Sequence, residues 1–292
     1  MPKPSFLFGT VGAPVSTPKK PGGSVGAILR SAELDLHAFE LGWVRSVNVT
    51  EATCAAIKAQ AADSKVALSV HATYFFNLNA MKEEWPKSRK RLMDACHYGH
   101  LAGATDIIFH PGSYFTAPPA EVLKTAIPRL RDFVKELRDN GNPVTLRPET
   151  MGKIAMLGSF EDTLEMSTEV EGVAPCIDFA HLHARHGDGS VNTYAEWDAL
   201  LKKLKKKLGA AALKNMHIHL SGIEYGPKGE KKHLPVAEAD LKYKDLFKAL
   251  ADHKCSGRIL CESPKMEDDA VLLMQAWTKI SKSQAQPAKS AR

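Results

Sequence analysis

Cysteine is sparse in this 292-residue chain: Cys54, Cys96, Cys176, Cys255 and Cys261 are odd in number, widely spaced and free of any CxxC pair. That spacing excludes a disulfide framework and a zinc finger, and leaves reduced, buried thiols as the expectation. Aromatic residues are also few, at 7%. No apolar run approaches the roughly 18 residues that a membrane-spanning helix needs, and Pro2 and Pro4 stand where a secretory signal would build its helix. The sequence therefore reads as a cytoplasmic protein without membrane association. No GxGxxG follows the first strand-like run, which removes the main signature of a doubly wound dinucleotide-binding sheet.

What is present is ordinary for a globular protein: 44% hydrophobic and 25% charged residues, with enough length for one large domain and a sizeable core. The net charge is +6, but residues 281–292 carry Lys282, Lys289 and Arg292 and no acid, and without them the balance is +3. Such a mild excess permits an anionic partner without demanding one. This Ser-, Gln-, Ala- and Lys-rich stretch reads as a disordered basic tail behind a single domain over residues 1–280. Lys202, Lys203, Lys205, Lys206 and Lys207 interleave with Leu201, Leu204 and Leu208, the pattern of a solvated helix face over apolar contacts.

Short β-branched or aromatic runs alternate with stretches of helical period along the whole chain. The runs fall near residues 5–9, 38–44, 66–71, 106–110, 144–149, 174–178, 214–220 and 258–262, each followed by a helix-like segment. Eight βα units in about 280 residues are the length of a (β/α)8 TIM barrel, an α/β fold whose active site lies at the C-terminal ends of the strands.

His71, His110, Glu149, Asp178, His219 and Glu262 end, or lie just past, runs three to eight. In a barrel these ends form one rim. Carboxylates crowded there repel each other and lose hydration unless a positive charge sits between them, and no strand-end lysine is offered. Imidazole mixed with carboxylate is the ligand set of zinc, with manganese as the alternative. Six such residues exceed what one tetrahedral zinc accepts, so the arithmetic favours two ions bridged by a carboxylate, about 3.5 to 4 Å apart. Glu149, from the middle of the set, is the expected bridge. His181 and His233 extend the set, whereas His217, two residues before His219 on the same strand face, reads as structural or supporting. His183 and His186 are expected in a loop.

In series, His71-Ala-Thr-Tyr-Phe-Phe-Asn-Leu78, His110-Pro-Gly-Ser113, Arg147-Pro-Glu-Thr150, Cys176-Ile-Asp-Phe-Ala-His181, His217-Ile-His-Leu-Ser221 and Ile259-Leu-Cys-Glu-Ser-Pro264 resemble the endonuclease IV family. These are metal-dependent apurinic/apyrimidinic endonucleases within the xylose-isomerase-like barrel superfamily, and the resemblance covers about residues 5 to 280. It implies a phosphodiesterase acting on DNA that contains abasic sites, a monomer with Glu149 and Glu262 as catalytic carboxylates. His71 and His110 would hold a first zinc, shared through Glu149 with a second held by Asp178, His219 and Glu262. His181 and His233 would hold a third, for which the family also supplies an Asp two residues before His233. Here that residue is Lys231. Either Glu230 substitutes, or the third site is weak, empty or replaced by the lysine charge.

Tyr74 matches the aromatic position that in this family enters DNA at the lesion; the bland alternative is a ring packed under the rim. The first strand offers Phe8-Gly-Thr-Val-Gly-Ala13 where the family has a histidine, and the segment 39–45 stands near the family's DNA-probing loop. Two other classes compete. A one-metal sugar isomerase or epimerase needs only Glu149, Asp178, His219 and Glu262, and leaves four imidazoles without employment. A non-catalytic metal-binding barrel is the third reading.

Overall fold

The computed structural model describes residues 5–285. Eight parallel strands alternate with helices: β1 (Phe6–Val11), α1 (Gly23–Glu33), β2 (Ala38–Gly42), α2 (Glu51–Ser64), β3 (Ala67–His71), α3 (Trp85–Leu101), β4 (Asp106–Phe109), α4 (Pro119–Asp139), β5 (Thr145–Pro148), α5 (Phe160–Glu169), β6 (Cys176–Asp178), α6 (Phe179–Ala184), α7 (Tyr194–Leu208), β7 (Met216–Leu220), α8 (Tyr243–Asp252), β8 (Gly257–Cys261) and α9 (Glu267–Ala285). The order in the sheet is β5-β4-β3-β2-β1-β8-β7-β6. Parallel bridges Leu146↔Val173 and Glu149↔Cys176 join its two edges, so the sheet closes as the βα count predicts.

Local chemistry starts the helices where the sequence supplies caps. Thr50 opens α2, and Ser159 with Asp162 and Thr193 with Glu196 form capping boxes at α5 and α7. Two segments differ from expectation. The Gly-rich stretch after β7 is an antiparallel hairpin, Gly222–Gly226 with Gly229–Leu234, rather than a loop. Helix α9 continues to Ala285, past the expected end of the domain, and the rest of the tail reading lies outside the described residues.

The apolar core is a shell around the barrel. Phe39, Leu41, Leu68, Val70, Ile107, Phe109 and Leu146 pack against the first helices, and Phe6, Phe8, Ile177, Ile218 and Ile259 pack against Trp197, Leu201, Phe247 and Trp277. Period-two alternation then turns the intervening residues inward, and beside Ile108 and Leu260 many of these are polar: Glu40, Ser69, His71, Asp106, Arg147, His217 and His219, all buried. A barrel interior is ordinarily filled by branched apolar residues. This one is a column of charge, held at its base by Arg147 Nε on Asp106 Oδ1 at 2.5 Å and Arg258 on Asp106 Oδ2 at 3.3 Å. All five cysteines are buried and unpaired. Among the described residues no helix is long and apolar enough to cross a membrane.

Candidate metal centre

His71 ends β3, His110 and Glu149 follow β4 and β5, Asp178 ends β6, His219 lies one residue from the end of β7, and Glu262 follows β8. The barrel therefore delivers all six to one rim. Glu149 is their centre and is fully buried. Its Oε2 lies 3.2 Å from His71 Nε2 and 3.4 Å from His110 Nε2, while its Oε1 lies 3.2 Å from His181 Nδ1 and 3.4 Å from His219 Nδ1. The two oxygens of one carboxylate thus address different imidazoles, the geometry a bridging ligand requires. Ligand atoms of His71, His110 and Glu149 fall within 4.8 Å of one another, and so do those of Glu149, Asp178, His219 and Glu262.

Backbone carbonyls set the imidazoles. His71 Nδ1 is 2.9 Å from the Ala72 carbonyl, His181 Nδ1 2.9 Å from that of Thr150, and His233 Nδ1 3.1 Å from that of Glu262. Each ring donates there from Nδ1, which leaves Nε2 as the nitrogen available to a metal. His181 Nε2 and His233 Nε2 then face each other at 3.2 Å, an approach that requires a proton or a cation between the two nitrogens. Glu230 Oε2 stands 3.6 Å from His181 Nε2, whereas Lys231 is exposed and turned outward to Glu224 at 3.2 Å. Gly152 makes the room: a Cβ there would meet the Glu230 Cβ and carboxylate at 2.7 Å. Of the alternatives that Lys231 leaves open, the fold brings Glu230 to the imidazole pair and carries the lysine charge away.

The polar atoms left over fit a cation. Glu149 Oε1, Asp178 Oδ2 and His219 Nδ1 are buried without hydrogen-bond partners, and they converge on the space between the strands. Asp178 Oδ1 is already engaged, accepting from the His181 N–H at 2.7 Å as the cap of α6. Burial pushes the Asp178 carboxyl up to about 7, and Glu262 and Glu149 add to this against the pull of His181. Burial also opposes ionisation of Glu149, but His219 and His110 outweigh it and hold that carboxyl well below its usual range. Carboxylates so tightly packed need positive charge, which divalent ions supply.

Tyr74 is 51% exposed and stacks on His110, with centroids 4.8 Å apart and planes at 23°. It stands on the rim rather than beneath it. Phe75, Phe115 and Ile154, in neighbouring rim loops, are also exposed.

Residues 28–284 match the family described as xylose isomerase-like TIM barrel. The chain belongs to this family. It is 38% identical over 280 residues to an uncharacterized protein of Methanocaldococcus jannaschii, covering 94% of this chain and 98% of that one. It is 28% identical over 164 residues to a probable endonuclease 4 of Oceanobacillus iheyensis, 54% of this chain and 52% of the relative, so this match spans about half of each protein. Among solved structures, endonuclease IV from Thermus thermophilus superposes with a TM-score of 0.68 at 21% identity, covering 94% of this chain and 99% of that one. A D-tagatose 3-epimerase-like protein superposes with 0.71 at 18%, covering 95% and 100%. At such identities the two superpositions establish the fold alone. The family of xylose isomerase-like barrels holds enzymes of both kinds, and the side chains have to choose.

Two residues of this family member escape a reading of strand ends. Glu40, mid-strand in β2, is fully buried, with Oε2 2.9 Å from His217 Nε2 and Oε1 3.0 Å from His219 Nε2. The signal was a single acid inside the apolar run Ala38-Phe-Glu-Leu41. Arg185, after α6, is buried and donates to the carbonyls of Met151 and Lys153 at 2.8 Å and of Met156 at 3.1 Å, which shapes the loop that carries Gly152. Nothing in its sequence context marks it. His183 is corrected: it lies within α6, buried, between the Ser190 carbonyl and Asp240, because the chain turns into a helix directly from the Asp178 cap.

Proposed function

We propose that this barrel is a metal-dependent phosphodiesterase that cleaves DNA at abasic sites. The observation that carries the reading is the division of Glu149: Oε2 faces His71 and His110, and Oε1 faces His219. A carboxylate presented this way would serve two ions, and the ligand chemistry fits zinc. His71 and His110 would hold the first with Glu149. Asp178, His219 and Glu262 would hold the second, and His181, His233 and Glu230 would offer a third position. When bound, such ions neutralise charge on a phosphoryl group and lower the pKa of a water molecule to near neutrality. The chain's own part is to fix the ligands by carbonyl contacts and to exclude water beneath them through the buried strand ends.

Substrate contact falls to the rim. Tyr74 offers a ring face for stacking where a base is missing. Arg45, Lys82, Lys153, Lys228 and Lys265, exposed on the segments that follow β2, β3, β5, β7 and β8, have no ion-pair partner among the described residues and suit phosphate contacts. The protein acts in this reading as a monomer in the cytoplasm. A second reading, a sugar isomerase or epimerase, is favoured by one observation: Glu149, Asp178, His219 and Glu262 form a compact one-metal set by themselves. The deciding experiment presents zinc-loaded protein with matched duplexes that contain or lack one abasic site. Cleavage of the abasic strand alone supports the proposal; no cleavage, together with turnover of a ketose, replaces it by the second reading.

A further inference from the structure

The rings that face the site are not all held in the same way. His71, His181 and His233 each give Nδ1 to a backbone carbonyl, but His219 presents Nδ1 to Glu149 at 3.4 Å and Glu262 at 3.5 Å, and its Nε2 meets a carboxylate, Glu40 Oε1, at 3.0 Å. Glu40 is itself braced. Its other oxygen receives the Ser69 hydroxyl at 2.7 Å and His217 Nε2 at 2.9 Å, and the whole group has no solvent contact. Oε1 carries no other bond, although the Glu40–His219 approach lacks the alignment of a full hydrogen bond.

We propose that Glu40 is a positioning residue that keeps His219 protonated on Nε2 and thereby presents Nδ1 as the ligand shared by the Glu149, Asp178 and Glu262 cluster. The inference rests on the metal reading above and is independent of the substrate. Its logic is that of a carboxylate behind a ligating imidazole, which fixes ring orientation and strengthens the donor nitrogen, and whose loss lowers metal affinity about 10- to 100-fold. Ser69 and His217 both donate to Oε2, so the oxygen of a Gln at position 40 stays with them and its NH2 turns to His219. That NH2 can only donate. It drives His219 to the opposite tautomer, with a hydrogen on Nδ1 where the ligand lone pair should be.

The test is zinc titration of wild type and Glu40→Gln against a chromophoric chelator, with melting of both metal-free proteins as the control for folding. The expected result is an affinity at least about tenfold weaker for one ion, an unchanged number of ions at saturating zinc, and metal-free melting within a few degrees of wild type. Equal affinities would overturn the proposal while leaving the metal reading intact. Loss of a whole ion at saturation would also overturn it, by making Glu40 a ligand with His71 and His219, whose donor atoms lie within 4.8 Å of its own. A wild type that binds no zinc removes the metal reading and this proposal together. If the variant does not fold, nitrogen-15 spectra of zinc-loaded wild type decide: a hydrogen on His219 Nε2 and metal on Nδ1 is expected, and the reverse assignment overturns the role given to Glu40.

Discussion

Replacement of Glu149 by Gln removes one oxygen from a group whose two oxygens face different partners. With the amide oxygen toward His71 and His110, 3.2 and 3.4 Å away, the NH2 group faces His181 and His219 at 3.2 and 3.4 Å; a flip merely exchanges the losers. In either orientation one ion loses a ligand outright and the other keeps a neutral one. Loss of a group that only supports a ligand costs up to about 100-fold in metal affinity, or about 2.7 kcal/mol, so loss of the ligand itself should cost at least that at one ion. Catalysis should fall further, by about a thousandfold or more, the roughly 4 kcal/mol at the upper end for one preorganised electrostatic group.

The fold should survive, because the two apolar clusters lie between the strands and the surrounding helices and do not include Glu149. Elemental analysis, single-turnover cleavage of an abasic duplex and a circular-dichroism melt measure the three quantities on one preparation. A folded Glu149→Gln protein that keeps two ions and cleaves within tenfold of wild type would refute the bridging role.

Three further outcomes are expected. Glu230→Gln should lower zinc occupancy at the His181–His233 pair, whereas Lys231→Ala, whose side chain points to Glu224, should leave it unchanged; the opposite pattern in elemental analysis would reject the Glu230 assignment. Asp106, buried between Arg147 and Arg258, is opposed by burial but held well below its usual range by the two guanidinium groups, so Asp106→Asn should cost about 3 to 5 kcal/mol in urea unfolding at pH 7. A depressed carboxyl stabilises fully above its unfolded pKa of about 4 and loses this as pH falls toward the folded value, so the gap should shrink at pH 3, and an equal gap at both pH values would contradict the ion-pair account. Tyr74→Ala should weaken binding to abasic duplex by about tenfold, from 1 to 3 kcal/mol of stacking, and spare intact duplex; equal losses on both would make Tyr74 a packing residue.

The sequence is most legible where a single rule operates. Strand ends in a barrel share a rim, so His71, His110, Glu149, Asp178, His219 and Glu262 can be picked out by position without coordinates. Glu40 is hidden because its contribution is not at a strand end: it reaches His219 across the barrel, from β2 to β7, a contact of long sequence separation. The Lys231 question is hidden for a different reason. Adjacent residues of a strand point to opposite faces, and whether 230 or 231 faces the site depends on hairpin register, which has a bulge between Glu224 and Tyr225. Arg185 answers to backbone carbonyls, and carbonyls leave no trace in a sequence.

Charge links the number of ions to the choice between the two readings. Glu40, Glu149, Asp178, Glu230 and Glu262 bring five carboxylates to the centre, and His217, the one imidazole behind them all, is pushed down to about 4 by burial and stays neutral. With one divalent ion bound, the remaining three negative charges fall to the imidazoles that the ion leaves free: burial opposes protonation of His71 and His181, but Glu149 at the first and Asp178 at the second outweigh it and raise both. Such a centre suits a neutral sugar and repels a phosphodiester. Two ions leave one negative charge, and a third at His181, His233 and Glu230 makes the centre positive, which attracts the phosphate that the unpaired rim cations would steer toward it. The epimerase reading therefore places protons on imidazoles that the phosphodiesterase reading uses as ligands. Counting zinc per chain thus measures the substrate's charge indirectly: one ion per chain points to the sugar, and two or three point to the phosphodiester.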